Sequence, residues 1–350
     1  MQENISVTGE SQKKRRSSFE EPVIKVVGVG GGGSNSIKRL RRMGLSEKIE
    51  TIAVNTDLRH LRTVEADKKL LLGKSLTRGL GAGGRPEMGE QCAEQSREIL
   101  QEMLHDADLV FITAGMGGGT GTGAAPVIAD IAKQQRSIVI GMTTIPFRAE
   151  KGRMINAAQG LERLRKRCDS VVILDNEKLL EIVPDMPVDM AFSVMDQMIA
   201  ESVKGISEMI TEPSLINLDY ADLKTIMSGG TTATVAYGEN ADDDPHRVVA
   251  ETLNNPLLDV DYTGATGALI HITLSPETPL KTANKILDAI TYELDPNANI
   301  IYGVQISQDY EGRVKVMSVL TGVDSPHILG PNRGFLGAEM NSVFEFEEVA

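Results

Sequence analysis

G-M-G-G-G-T-G-T-G, residues 115 to 123, directly follows the apolar run Leu109 to Thr113 and decides the fold. Six glycines in nine positions let backbone N–H groups converge on an anion without Cβ obstruction, so a loop of this kind leaving a strand is suited to wrapping phosphates. Thr120 and Thr122 add hydroxyls. The pattern predicts a helix over Ala124 to Lys133, with Pro126 in its first turn and its positive end aimed at the same anion. A flexible glycine linker would have no need to sit between a hydrophobic strand and an amphipathic helix.

A second glycine loop has the same setting. Val23 to Val29 reads as a buried strand, followed by Gly30 to Gly33, Ser34-Asn35 and a helical stretch from Ile37 to Met43. Gly28, Gly30 and Gly33 match the G-x-G-x-x-G of dinucleotide folds, a weak match in glycine-rich sequence. A dehydrogenase would place an acidic ribose reader at the end of the second strand, whereas Thr51 to Val54 is followed by Asn55-Thr56-Asp57. A third glycine cluster, Gly79 to Gly84, comes later. Three such loops suit a nucleoside triphosphate better than a pyrophosphate crossing one helix end. No G-x-x-x-x-G-K-[ST] occurs, so the phosphate charge falls to amides, hydroxyls and a cation, most simply Mg²⁺ held by phosphate oxygens and water.

The remaining chain bounds the architecture. At 350 residues and 41% hydrophobic content, two domains are expected. A net charge of -13 argues against a nucleic-acid partner. The basic run Lys13 to Arg16 sits in a Ser- and Glu-containing leader, and residues 1 to 20 read as a disordered tail. Cys92 and Cys168 both sit in predicted helix-rich regions, do not form a metal-ligand cluster and read as buried thiols in a reducing compartment. With no apolar span of 18 residues and no secretory leader, the expectation is a cytoplasmic protein without transmembrane insertion.

Strand candidates Val23 to Val29, Thr51 to Val54, Leu109 to Thr113, Ser137 to Met142 and Val171 to Leu174 alternate with helical patterns, predicting an α/β, Rossmann-like parallel-sheet domain over residues 21 to 186. A long helix follows over 187 to 212, with Met190, Val194, Met198, Ile199, Val203, Ile206 and Ile210 as its apolar, core-packing set. Residues 213 to 322 predict a smaller α+β domain with a mixed sheet. Its strands are Thr232 to Tyr237, Gly267 to Leu274, Ile300 to Ser307 and Arg313 to Leu320, patterned as a half-exposed sheet, and its helices are Pro245 to Leu253 and Pro279 to Tyr292. Residues 323 to 350 read as a mostly flexible tail.

With these loops in place, the chain resembles the tubulin/FtsZ superfamily, and within it the prokaryotic cell-division members. G-G-G-T-G-T-G-A-A-P (117 to 126) is similar to the family's signature phosphate loop, and its specificity is very high. G-L-G-A-G-G-R-P-E-M-G (79 to 89), N-L-D-Y-A-D (217 to 222) and T-G-V-D-S-P (321 to 326) agree with it in order and spacing. The resemblance covers roughly residues 22 to 328. It implies GTP and GDP binding, head-to-tail homopolymer filaments, GTP hydrolysis coupled to assembly, and work at the midcell division ring with division or membrane-adaptor proteins.

Carried over residue by residue, the resemblance puts Gly31, Gly32, Gly117, Gly118, Gly119, Thr120, Gly121 and Thr122 around the α- and β-phosphates and Ala82, Gly83 and Gly84 near the γ-phosphate. It puts Asn35 and Asp196 on guanine, with Phe192 over the ring. An ionised carboxylate accepts from guanine N1–H and N2–H₂ and would meet the unprotonated N1 of adenine, so Asp196 fits that role chemically. Phe192 and Asp196, four apart, share one helical face. Glu150 and Arg153 fall in the stretch similar to the family's sugar-binding segment, although the expected spacing is four and here it is three. Asn217, Asp219 and Asp222 correspond to a loop that the family presents to the next subunit's nucleotide. On that reading the two aspartates orient the attacking water and organise the cation, while Asn217 fixes the loop.

Two rivals are a nicotinamide-dependent dehydrogenase, which lacks its ribose reader and a persuasive catalytic histidine, and a GTP-binding filament scaffold or cell-shape paralogue with weak hydrolysis. The chain ends F-E-F-E-E-V-A, a departure from the long linker and apolar-basic adaptor peptide common in bacterial members.

Overall fold

The computed structural model describes residues 21–44, 48–227, 231–241, 244–253, 262–292 and 294–323. The N-terminal leader, the tail from residue 324 and part of the 321 to 326 motif lie outside the described residues. Ten strands occur among the described residues: β1 Ile24–Val29, β2 Ile49–Asn55, β3 Lys68–Leu71, β4 Leu109–Gly115, β5 Ile138–Ile145, β6 Ser170–Asp175, β7 Thr231–Ala241, β8 Gly267–Leu274, β9 Asn299–Ile306 and β10 Arg313–Thr321. They form a single sheet in the order β3-β2-β1-β4-β5-β6-β7-β10-β8-β9.

β1 to β6 are parallel throughout. Their near-continuous apolar runs follow from burial on both faces, which crossover helices impose on parallel sheets. Alternate residues feed separate cores. Val26, Leu109, Phe111 and Ile140 join Ile37 and Leu40 of the helix Gly30–Arg42 on one face. Val27, Val110, Ile112 and Val139 join Ala124, Ile128 and Ile131 of the helix Gly119–Gln134 on the other. Both cysteines are buried and free, and burial raises the pKa of each thiol. Sequence patterning misses β3, whose Lys-Lys-Leu-Leu has no alternation. It is an edge strand fixed by its register on Ile52 to Asn55 of β2.

The helix Val188–Thr211 spans 24 residues, about 36 Å at 1.5 Å per residue. Its buried face of Met195, Ile199, Val203, Ile206 and Ile210 packs into one hydrophobic cluster that runs from Val26 of β1 to Val319 of β10, so it braces both halves of the sheet. Met190, expected in the core, is exposed at the helix's first turn.

β7 joins the parallel half only at Ser170 and Val171, the first two residues of β6. β10 runs antiparallel to β7 and β8, and β8 is parallel to β9. Two expectations need correction. β8 is buried along its whole length rather than half-exposed, because the helices Pro245–Leu253 and Leu280–Thr291 share a core with one of its faces while Leu269, from the other, joins the central-helix cluster. Pro126 lies inside its helix, not in its first turn, because the helix starts at Gly119 within the glycine loop. Proline there forgoes one i to i−4 hydrogen bond.

Candidate functional site

Parallel strands put the carboxyl ends of β1 to β6 on one edge of the sheet. The strand order reverses between β1 and β4, and a crevice opens at such a switch point. Both glycine loops leave the sheet there, and their backbones approach more closely than side chains would allow. A Cβ on Gly30 would lie 3.0 Å from the Gly121 nitrogen, and one on Gly33 would lie 2.1 Å from the Thr113 carbonyl oxygen. The third loop joins them, since a Cβ on Gly119 would sit 2.8 Å from the Ala82 Cβ and 2.9 Å from the Arg85 nitrogen. The hydroxyls of Thr56 and Thr120 hydrogen bond at 2.7 Å. Asn156, missed in sequence, donates its amide to the carbonyls of Gly84 (3.3 Å) and Gly117 (3.5 Å), pinning two loops together. Its signal was its place on the same helix, one turn beyond Arg153.

The positions expected to face phosphates divide by environment. Gly31, Gly83 and Gly84 are exposed, with nothing within 4 Å of the place a Cβ would occupy, and Gly32 is exposed beside Gly115. Gly118 and Thr120 are half-buried at the mouth. Gly117, Gly119, Gly121 and Thr122 are buried, and the Gly117 N–H donates to the Thr122 hydroxyl at 2.9 Å, so that side chain shapes the loop. Ala82 is also buried, against Gly119. The helices Gly30–Arg42 and Gly119–Gln134 both begin in this crevice, with neither a capping side chain nor an acidic residue in the first turn. Their leading N–H groups and dipoles therefore favour an anion, and the open glycine backbone leaves room for a phosphate chain.

The start of the central helix closes one side. Phe192 is 39% exposed and meets Phe147 edge-on, ring centroids 5.8 Å apart. One turn on, half-buried Asp196 accepts a 2.9 Å hydrogen bond from the Ser36 hydroxyl, while neighbouring Asn35 is exposed. Burial pushes the Asp196 carboxyl up to about 6, against the lowering effects of Ser36 and the Arg39 guanidinium. The departure in spacing between Glu150 and Arg153 has a structural reading. Glu150 precedes the helix Lys151–Arg165, accepts from the Phe147 N–H at 3.1 Å and pairs with the Arg153 guanidinium. Arg153 borders the phosphate loop, its backbone oxygen 2.8 Å from where a Gly117 Cβ would stand. Asn176, directly after β6, has a buried amide oxygen without a partner and was not singled out in sequence.

Asn217, Asp219 and Asp222 are not brought into this crevice. Asn217 accepts from the Ser214 N–H at 2.6 Å. Asp219 and Asp222 cap the helix Tyr220–Met227 reciprocally, each carboxylate accepting the other's backbone N–H at 2.9 and 3.0 Å. The intervening Tyr220 hydroxyl donates to the Asp108 carbonyl, just ahead of β4, at 2.9 Å. The phosphate loop leaves the far end of β4, seven residues on, so the carboxylates lie about 20 Å or more away at the opposite pole. Among the described residues no group of three or more His, Cys, Asp or Glu side chains is placed to hold a metal ion. No described helix is long and apolar enough to cross a membrane.

Residues 23–184 match the Tubulin/FtsZ family GTPase domain, and residues 231–324 match the FtsZ family C-terminal domain. The chain is 54% identical over 315 residues to cell division protein FtsZ 2 of Halobacterium salinarum, covering 90% of this chain and 80% of that protein. It superposes on an empty FtsZ dimer structure from M. jannaschii with a TM-score of 0.79 and 47% identity, covering 87% of this chain and 89% of that one. A GTPγS-bound CetZ2 protofilament from Haloferax volcanii, 21% identical with a TM-score of 0.74 over 86% of this chain and 93% of that one, shares the fold.

Proposed function

The chain belongs to the tubulin/FtsZ family, and from that premise we propose that it is a self-assembling GTPase that forms head-to-tail filaments for cell division. The observation that carries the proposal is the polar separation of the two half-sites. The phosphate crevice opens at the carboxyl edge of the parallel sheet, and the Asp219/Asp222 cap sits at the other pole, about 20 Å off. A single subunit cannot bring them together. Stacking subunits with one polarity does so at every junction, because such a heterologous contact repeats without closing.

In this reading GTP lies with its phosphates on the two helix starts and the open Gly31, Gly83 and Gly84 backbone, its base against Phe192 and Asp196, and its sugar beside Arg153. Mg²⁺ would be held through phosphate oxygens and water and would balance the triphosphate charge. Asp219 and Asp222 of the following subunit orient water toward the γ-phosphate, with Asn217 holding the loop. The carboxylates would repel the triphosphate within one molecule, and their separation defers that repulsion until assembly. The protein works in the cytoplasm at the midcell ring, with division or membrane-adaptor proteins as partners.

Phosphate release from GTP and ATP, measured with Mg²⁺ across a protein-concentration series while light scattering is followed, tests this. GTP turnover per subunit that switches on at the concentration where scattering rises is expected. Turnover independent of concentration refutes a shared site, and filaments without turnover favour the scaffold reading.

A further inference from the structure

The base end of the crevice contains a group that neither the motif nor the fold assigns. Ser36 lies on the helix Gly30–Arg42, is 3% exposed, and donates its hydroxyl proton to Asp196 Oδ1 at 2.9 Å. Its other acceptor within reach is the Gly32 carbonyl at 3.4 Å, one turn back in the phosphate loop. A serine hydroxyl has a single proton, and the shorter contact to a carboxylate is the stronger claim on it. We propose that Ser36 is a positioning residue for guanine recognition, fixing the Asp196 carboxylate in the plane and charge state that accept two N–H groups from the base.

This rests on the assignment of Asp196 to the base. Guanine offers N1–H and N2–H side by side, so the carboxylate must present both oxygens edge-on. Ser36 occupies one lone pair of Oδ1 and leaves the other, together with Oδ2, for the base. The bond also spans two elements, since Asp196 is on the central helix and Ser36 is on the helix that starts in the phosphate loop. It thereby sets the distance between base reader and phosphate cradle. Asp196 is half-buried, and burial disfavours its ionised form. The groups that oppose this are the Ser36 hydroxyl and the Arg39 guanidinium, both from the same neighbouring helix. Arg39 also donates to Gln197, so its charge is shared with another side chain. Removing Ser36 therefore leaves Asp196 both freer to rotate and harder to ionise.

The test is equilibrium binding of GTP and ITP to Ser36→Ala, Ser36→Thr and Asp196→Asn proteins between pH 5 and 8, below the assembly concentration. ITP lacks the N2 amino group. For Ser36→Ala we expect GTP binding to weaken about tenfold at neutral pH, the acid midpoint of binding to rise by about one pH unit, and the preference for GTP over ITP to shrink. Ser36→Thr keeps the hydroxyl and should restore affinity and midpoint, which separates a positioning role from loss of fold. If Ser36→Ala leaves binding unchanged, or weakens it with no movement of the midpoint or of the GTP/ITP ratio, the positioning role is overturned. If Asp196→Asn binds GTP as the parent does, the assignment of Asp196 to the base fails as well, a separate result.

Discussion

Asp222→Asn separates chemistry from architecture at the acidic loop. The Asp222 carboxylate accepts the Asp219 N–H at 3.0 Å, and its own N–H is bonded to Asp219 at 2.9 Å, so the side chain both caps a helix and carries charge. Asparagine keeps an oxygen for the cap and loses only the charge. Folding stability should therefore change by about 0.5 kcal/mol or less, whereas Asp222→Ala gives up the cap at a cost of about 1 kcal/mol. Hydrolysis should respond on another scale. A group that orients water beside a γ-phosphate contributes roughly 10² to 10⁴ in rate, about 3 to 5 kcal/mol of barrier. Because the crevice is about 20 Å distant in the same molecule, affinity of the monomer for GTP should be unchanged. The assays are denaturant unfolding, GTP binding below the assembly threshold, and steady-state phosphate release above it. Parent-like turnover in the asparagine variant would remove the carboxylate from the mechanism, and weakened monomer binding would place it in the wrong half-site.

Three further outcomes follow from the geometry. Gly119→Ala sets a methyl 2.8 Å from the Ala82 Cβ and 2.9 to 3.0 Å from the backbone of Arg85, so the loops must part; a loss of about 1–3 kcal/mol of stability is expected, with weaker GTP binding, measured by thermal unfolding with and without nucleotide. Phe192→Ala removes a partly exposed ring that meets the edge of Phe147, and should weaken GTP binding by about tenfold or more through lost stacking while barely moving the unfolding midpoint. Burial, reinforced by Lys315, lowers the pKa of His271 in β8 from 6.5 to about 4. Between those values the unfolded chain binds the extra proton, so this group's stabilisation is present above pH 6.5 and is lost as pH falls toward 4. Asp196, raised from 3.8 to about 6, acts with the opposite sign in the empty protein over a similar window. Unfolding of nucleotide-free His271→Gln should accordingly lose less stability on acidification than the parent.

The parallel half was legible because its strands are unbroken apolar runs punctuated by glycine loops, a pattern that only burial on both faces and a phosphate-binding edge explain together. The C-terminal strands were placed within one or two residues at most ends, yet their exposure was misjudged, since whether β8 is covered on both faces depends on how the neighbouring helices and the central helix pack on it, which no local pattern shows. β3 and the early start of the helix Gly119–Gln134 escaped for a related reason. Lys-Lys-Leu-Leu and Gly-Thr-Gly-Thr-Gly have poor local propensities for the structures they adopt, and strand pairing on β2 and loop packing against Ala82 and Arg85 override them.

By itself the sequence determined the family's motifs, the α/β class and the residue types able to cradle phosphate and read a base, because glycine spacing and apolar periodicity are local properties of the chain. Tertiary structure decided where those residues stand. It brought three glycine loops to one crevice, tied Ser36 to Asp196 across 160 positions and Asn156 to two loops, and held the Asp219/Asp222 cap at the opposite pole. That polarity comes from the pairing of β1 to β6 and from the way the central helix packs across the sheet, neither of which a linear motif encodes.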